Sequence, residues 1–233
     1  MYALQKAEIT KSWFDSPQLI ECKSMIEHIV FDFGGVILDL DGVHTGYPDN
    51  LAVIFNVPIQ EAVKIWSENK TAVITGNETP KEFLARIKKE YDFNFEVEDG
   101  IRYWEDQNII DKSRIDWELL AHIEDLKSRY QIHMLTDQIQ LQNGASAWID
   151  KVDTRFHTIL RSYEQGFRKP FPESYHNMLQ KIHAVDNPAS VIFIDDNKAN
   201  IDASNEMGIH SILYTFKNHD LLKNKFQVLN VSY

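Results

Sequence analysis

Four short segments of this 233-residue chain carry side chains whose types could do chemistry together. Asp32 follows the apolar run Ile29-Val30-Phe31 and precedes Phe33-Gly34-Gly35. Thr136 and Asp137 follow Gln131-Ile132-His133-Met134-Leu135, and Asp195, Asp196 and Asn197 follow Val191-Ile192-Phe193-Ile194. Lys169 lies in the loop Gly166-Phe167-Arg168-Lys169-Pro170. A carboxylate at the end of a buried strand is costly unless a metal or a cation compensates it. A transferring phosphoryl group spreads negative charge over three oxygens, so its site must supply a cation, hydrogen-bond donors and a nucleophile. Carboxylates with Mg²⁺, one hydroxyl and one lysine meet that list. Each member alone has a simpler explanation. A threonine at a strand end often caps a loop, a lone lysine is usually solvated, and Asp195-Asp196 before a helix would favour its positive end. The four segments together carry the inference.

Those residues need strands to hold them at one edge of a sheet. Ile29 to Phe33 is a short bulky run ended by two glycines, the pattern of a buried strand entering a tight loop. The pattern turns helical from about Tyr47 to Asn108, with Leu51, Ile54 and Phe55 at helical spacing and then Ala62, Val63 and Trp66. Thr79-Pro80-Lys81-Glu82 reads as a helix start with a capping box. Trp66 and Trp104 read as core of this helical lobe. Beyond Ile115, strands and helices alternate. A helix is expected over Trp117–Ser128, then a strand over Gln131–Leu135, a helix near Ile139–Ile149 and a strand about His157–Leu160. A helix from Pro172, a strand over Val191–Ile194, a helix stopping at Gly208 and a strand over His210–Tyr214 follow. Such alternation predicts an α/β fold with a parallel sheet covered on both faces. Ligands of such sheets sit at the carboxyl ends of the strands, where all the candidate residues fall.

The four segments, in this order, resemble the motifs of the haloacid dehalogenase superfamily on its phosphatase side. Within it they are most similar to the branch typified by bacterial glucose-1-phosphate phosphatases. The resemblance spans about residues 28–214 and implies a Rossmann-like three-layer core with an inserted helical, C1-type cap. The core would comprise residues 27–40 and 115–233, the cap 41–114, and an N-terminal extension 1–26. By the same resemblance Asp32 would be the nucleophile that becomes an aspartyl-phosphate. Asp32, Asp196 and the Gly34 carbonyl would hold Mg²⁺, with Asp195 a ligand directly or through water. Thr136 and the Asp137 amide would bind phosphate oxygens, and Lys169 would neutralise both the phosphate and the clustered acids.

Two positions depart from the family pattern. Gly34 stands where most of these phosphatases carry an acid that protonates the leaving oxygen, and Asp137 stands where asparagine is common. Asp39-Leu40-Asp41-Gly42 matches the usual nucleophile motif in letters, but the run before Asp39 is too short and glycine-rich for a central strand. Asp32 is therefore preferred, with Asp39 and Asp41 in the flap leading into the cap and His44 near the mouth. The expected activity is a Mg²⁺-dependent phosphomonoesterase acting on a small phosphorylated metabolite, a sugar 1-phosphate being favoured. One rival is a dehalogenase, which would not need the Asp195-Asp196 pair. The other is a catalytically silent binding or regulatory protein that lost its acid at Gly34.

Composition bounds the partners. A net charge of -11 disfavours nucleic acid and anionic membranes, and no apolar run approaches the ~20 residues of a membrane span. A single cysteine excludes an intrachain disulfide and fits a reducing compartment, with the cytoplasm the expected location. The opening residues lack the apolar stretch of a signal peptide, and Met25 stands just before the first strand. Most of the nine histidines are expected at the surface or satisfied in the core, and oligomeric state is not legible.

Overall fold

A computed structural model describes residues 25–40, 46–107, 112–143 and 149–232. Most of the expected N-terminal extension, together with Asp41 and His44, lies outside the described residues.

Five strands form one parallel sheet in the order β3-β2-β1-β4-β5: β1 (His28–Phe31), β2 (Gln131–Thr136), β3 (Thr158–Arg161), β4 (Val191–Asp195) and β5 (His210–Leu213). The strand preceding Asp32 is central, flanked by the strands preceding Asp137 and Asp196. Register aligns Phe31 with Met134 on one side and Ile194 on the other, and the Asp32 amide donates to the Ile194 carbonyl at 2.9 Å. Three candidate segments thus leave the same edge of the sheet side by side.

Continuous apolar runs are needed because helices cover both faces. Ile29, Phe31, Ile132, Met134, Ile192 and Ile194 pack with Leu119, Ile123, Val152, Leu222 and Phe226. The first two of these partners lie on α5 (Trp117–Leu126), Val152 on α6 (Ile149–Asp153), and the last two on α10 (His219–Val228). The alternate residues Val30, Leu135, Val191 and Phe193 pack on the opposite face against Tyr175, Met178, Leu179 and Ile201. These belong to α8 (Pro172–Lys181) and α9 (Lys198–Glu206). Each fully buried Ile or Phe contributes about 1.5–3 kcal/mol, so the two clusters dominate the stability of the sheet.

Between β1 and β2 the chain forms α1 (Tyr47–Phe55), α2 (Ile59–Ile74), α3 (Pro80–Glu90) and α4 (Val97–Gln107). These helices bury a core of their own in which Trp66 meets Phe83 and Trp104 edge to face, all three as core residues. The capping box at Thr79 forms as expected, its hydroxyl accepting from the Glu82 amide at 3.2 Å while its own amide donates to Glu82 Oε2 at 2.8 Å. Among the described residues no helix is long and apolar enough to cross a membrane.

Of the expected helix near Ile139–Ile149, residues 144–148 lie outside the described residues; Ile139 stands in no helix, Gln140–Asn143 is a single 3₁₀ turn, and α6 spans Ile149–Asp153. Ile139 and Leu141 join the apolar cluster of α1–α4, so these residues serve a different core from α6. Two helices were not anticipated, α10 and the one-turn α7 (Ser162–Gln165).

His133 on β2 is an exception among the histidines. It is 3% exposed, its Nε2 lies 3.1 Å from His28 Nδ1, and its Nδ1 has no hydrogen-bond partner. Burial, with His28 and His157 adding positive charge, pushes its pKa down to about 3. A histidine with a depressed folded pKa costs stability as pH falls below the unfolded value of 6.5, because only the unfolded chain then takes up the proton. Between pH 7 and 5.5 the wild type should lose about 1 kcal/mol more than His133→Leu, measured by urea unfolding. Parallel pH profiles for the two proteins would show that His133 titrates normally.

Candidate active site

The centre of the site is Lys169, a lysine 3% exposed. Its Nζ lies 2.8 Å from Asp32 Oδ1 and donates to Asp195 Oδ2 at 2.7 Å. Burial alone would make the ammonium easier to deprotonate, but Asp32, Asp195 and Asp137 together raise its pKa above the ordinary lysine value. For Asp32 burial is the leading influence and favours the neutral acid; Lys169 opposes it and Asp195 reinforces it. The Phe33 amide donates to Asp32 Oδ1 at 2.7 Å and helps hold the carboxylate in place.

Asp195 is fully buried and densely hydrogen-bonded. Besides Lys169, it accepts from the Asn197 amide at 2.8 Å and from Asn200 Nδ2 at 3.0 Å to each oxygen. Tyr175 fixes Asn200 in turn, its hydroxyl donating to the Asn200 carbonyl at 2.9 Å. Asp196 is left more exposed, its pKa raised by burial and then by Asp195. Asp32, Asp195 and Asp196 offer carboxylate oxygens that all lie within 4.8 Å of one another. Three hard oxygen donors so close fit a small divalent cation such as Mg²⁺.

Gly35 closes around this cluster. Its φ is +73°, and a Cβ there would stand 2.1 Å from Asp196 Oδ2, so neither the backbone nor the space admits a side chain. Gly34 is less restricted; the atoms nearest to a Cβ there belong to the Leu40 side chain, with Cδ1 at 3.3 Å. The sequence singled out these glycines as a tight loop without revealing that one of them cradles a carboxylate.

Asp137 turns toward the lysine loop. Its Oδ1 accepts from the Lys169 amide at 3.1 Å and its Oδ2 lies 3.9 Å from Arg168 Nε, while burial raises its pKa. The extra negative charge is tied to the segment that presents Lys169. Thr136 ends β2 beside it, 2% exposed. The structure therefore brings Asp32, Thr136, Asp137, Lys169, Asp195 and Asp196 together, with Gly34 on the adjoining loop. Asp39 is not among the carboxylates that converge there, and its amide donates to the Arg114 carbonyl at 2.9 Å.

Ser162, on α7, escaped the sequence reading. It is 1% exposed, accepts from the Gln138 amide at 3.0 Å, and its hydroxyl reaches the Ile74 carbonyl at 2.8 Å. It therefore joins the end of α2 to the segment after Thr136. Beside it Gly76, with φ +73°, approaches so closely that a Cβ would lie 2.1 Å from the Tyr163 carbonyl oxygen. A lone serine in a loop carries no sequence signal for such a role.

The profile of the haloacid dehalogenase-like hydrolases matches residues 26–208. A D-ribitol-5-phosphate phosphatase of Bacteroides thetaiotaomicron is 22% identical over 200 residues, 80% of this chain and 91% of the relative. Among solved structures, a predicted HAD-like hydrolase from Porphyromonas gingivalis superposes with a TM-score of 0.66 at 17% identity, covering 90% of this chain and 100% of its own. A HAD family enzyme of B. thetaiotaomicron, in complex with magnesium and inorganic phosphate, gives a TM-score of 0.60 at 22% identity, with 82% and 93% covered.

Removing the Lys169 charge leaves two buried carboxylates facing each other, a change that costs about 3 kcal/mol. Without divalent cations, Lys169→Met should unfold in urea at correspondingly lower concentration, and Mg²⁺ should narrow the gap to wild type. Equal stability of the two proteins without metal would show that the carboxylates are neutral in the folded state.

Proposed function

The chain belongs to the haloacid dehalogenase-like hydrolase family, and from that premise we propose that it is a Mg²⁺-dependent phosphomonoesterase acting on a small phosphorylated sugar or polyol. The observation that carries the reading is the buried Lys169 ammonium, 2.8 and 2.7 Å from the Asp32 and Asp195 carboxylates. The relative named for a polyol phosphate supports the substrate class.

Asp32 attacks phosphorus through a carboxylate oxygen, the ester P–O bond breaks, and the leaving oxygen takes up a proton. Water then cleaves the aspartyl-phosphate, releasing inorganic phosphate and restoring Asp32. Thr136 and the Asp137 amide hold phosphate oxygens, and Lys169 offsets the charge that accumulates between phosphate and carboxylates. Asp32, Asp196 and the Gly34 carbonyl, with Asp195 beside them, would hold Mg²⁺, which when bound supplies Lewis-acid charge stabilisation. Asp195 is committed to Lys169, Asn197 and Asn200, so its main work is to orient the lysine. Helices α1–α4 act as the cap, residues 41–114, over a core of 27–40 and 115–233, and select the leaving group. The acidic composition and single cysteine support a cytoplasmic enzyme.

Gly34 leaves the departing oxygen without the usual neighbouring acid, and general acid catalysis is worth roughly 10²–10⁴-fold. Esters of more acidic hydroxyls, such as sugar 1-phosphates, suffer least from that loss.

Asp32→Asn should lower p-nitrophenyl phosphate turnover by at least about a thousandfold while the fold persists, and chelating Mg²⁺ should silence the wild type. An active Asp32→Asn enzyme alongside a dead Asp39→Asn would move the nucleophile to the other motif. No turnover by the wild type at any Mg²⁺ concentration would favour a binding protein instead.

Across monoesters of graded leaving-group pKa, kcat/KM should fall steeply as the leaving group becomes poorer. Gly34→Asp should flatten that slope; Leu40 need shift only a few tenths of an ångström to admit the new Cβ. A shallow wild-type slope would mean that another residue donates the proton.

A further inference from the structure

Ser162 is the first residue after β3, whose register pairs Arg161 with Thr136 on β2. It therefore leaves the same sheet edge beside the Thr136–Asp137 segment. A serine at the start of a helix ordinarily caps that helix with its hydroxyl. On α7 the capping position falls to Arg161, which makes no side-chain cap, and the Ser162 hydroxyl faces two other segments. It accepts from the Gln138 amide at 3.0 Å, donates to the Ile74 carbonyl at 2.8 Å and lies 3.1 Å from the Gln138 carbonyl oxygen. Ser162 and Gln138 are both buried, so solvent does not stand in for a lost partner.

These contacts act on the backbone next to the phosphate donors. The Gln138 amide belongs to the rigid peptide unit that starts at the Asp137 carbonyl. A single torsion, ψ of Asp137, links that unit to the Asp137 amide, so holding the unit limits where the amide points. The backbone of Ser162 completes a ring. Its carbonyl accepts from the Gly166 amide at 3.0 Å, at the start of the loop that carries Lys169, and the Lys169 amide donates to Asp137 Oδ1 at 3.1 Å. The segment after β2 and the lysine loop are thus joined twice, once through a serine and once through an aspartate. Ile74 ends α2, and its carbonyl is one of those a helix leaves unpaired at its C-terminus. By taking the hydroxyl proton it leaves a serine lone pair for the Gln138 amide.

We propose that Ser162 is a positioning residue of the phosphate site. Its hydroxyl fixes the Asp137–Gln138 peptide unit and so aims the Thr136 and Asp137 donors at the phosphoryl group that Lys169 neutralises. This rests on the phosphomonoesterase reading for which donors meet phosphate, and it adds to that site a residue that touches no substrate. Because phosphate is common to all monoesters, the effect of Ser162 is the same whatever the leaving group.

The test uses inorganic phosphate as a probe that needs no turnover. In saturating Mg²⁺, phosphate should raise the Tm of the wild type, and its Kd follows from the concentration dependence of that shift. Ser162→Ala leaves a buried amide without an acceptor and should weaken phosphate binding by about tenfold. It should lower kcat/KM by a similar factor for every monoester of a series, chiefly through KM. Ser162→Cys preserves the packing but offers only a weak donor and acceptor, and should change phosphate affinity in the same direction. Ser162→Thr keeps the hydroxyl and should retain most of the affinity. Folded Ala and Cys variants that bind phosphate as the wild type does would overturn the assignment. So would a loss of kcat/KM that differs from ester to ester, which would place the action of Ser162 on the leaving-group side. Failure of all three variants to fold, or a wild type whose Tm phosphate does not shift, also overturns it. If the wild type binds phosphate but hydrolyses no monoester, the phosphatase reading fails, and the phosphate affinities alone uphold or overturn the role of Ser162.

Discussion

A lysine ammonium held out of water between two carboxylates is the interaction on which the site depends. An ammonium transferred to a protein interior loses hydration worth several kcal/mol, and only close opposite charge with well-formed hydrogen bonds restores it. Lys169 meets that condition because β1 and β4 are neighbours, placing Asp32 and Asp195 within 3 Å of one nitrogen. The remaining polar contacts follow from the need to keep it there. Asn197 and Asn200 at the start of α9 saturate Asp195, Tyr175 anchors Asn200, and Asp137 holds the Lys169 amide. Three acids against one lysine leave a local excess of negative charge, which suits a divalent cation and resists a naked anion.

The α1–α4 layer meets the segment beyond Thr136 through a small contact. Ser162 shares its hydroxyl between the end of α2 and the backbone just beyond Thr136, and Gly76 lets the two chains approach until no Cβ fits. The end of α2 is thereby tied to the segment that follows Thr136 and Asp137. Ile139 and Leu141 reinforce the link by leaving the core domain to pack among the helices. The α1–α4 helices and the segment that follows Thr136 and Asp137 thus share one set of buried contacts.

The sequence by itself determined the five strands and their alternation with helices. The β4 run of Val191–Asp195 is buried throughout, so its unbroken hydrophobicity is legible without coordinates, as is the capping box at Thr79, which acts over three residues. The candidate side chains were legible for a related reason: each stands at the end of its own strand or in a loop fixed by local chemistry. Only the tertiary structure decided which of them meet. That depended on strand order, which sets Lys169 against acids more than a hundred residues apart in the chain, and on the turn that aims Gly35 at Asp196. Periodicity shows that a residue is buried but not in which core, which is why Ile139 reads as part of a helix in the sequence and packs among α1–α4 in the structure.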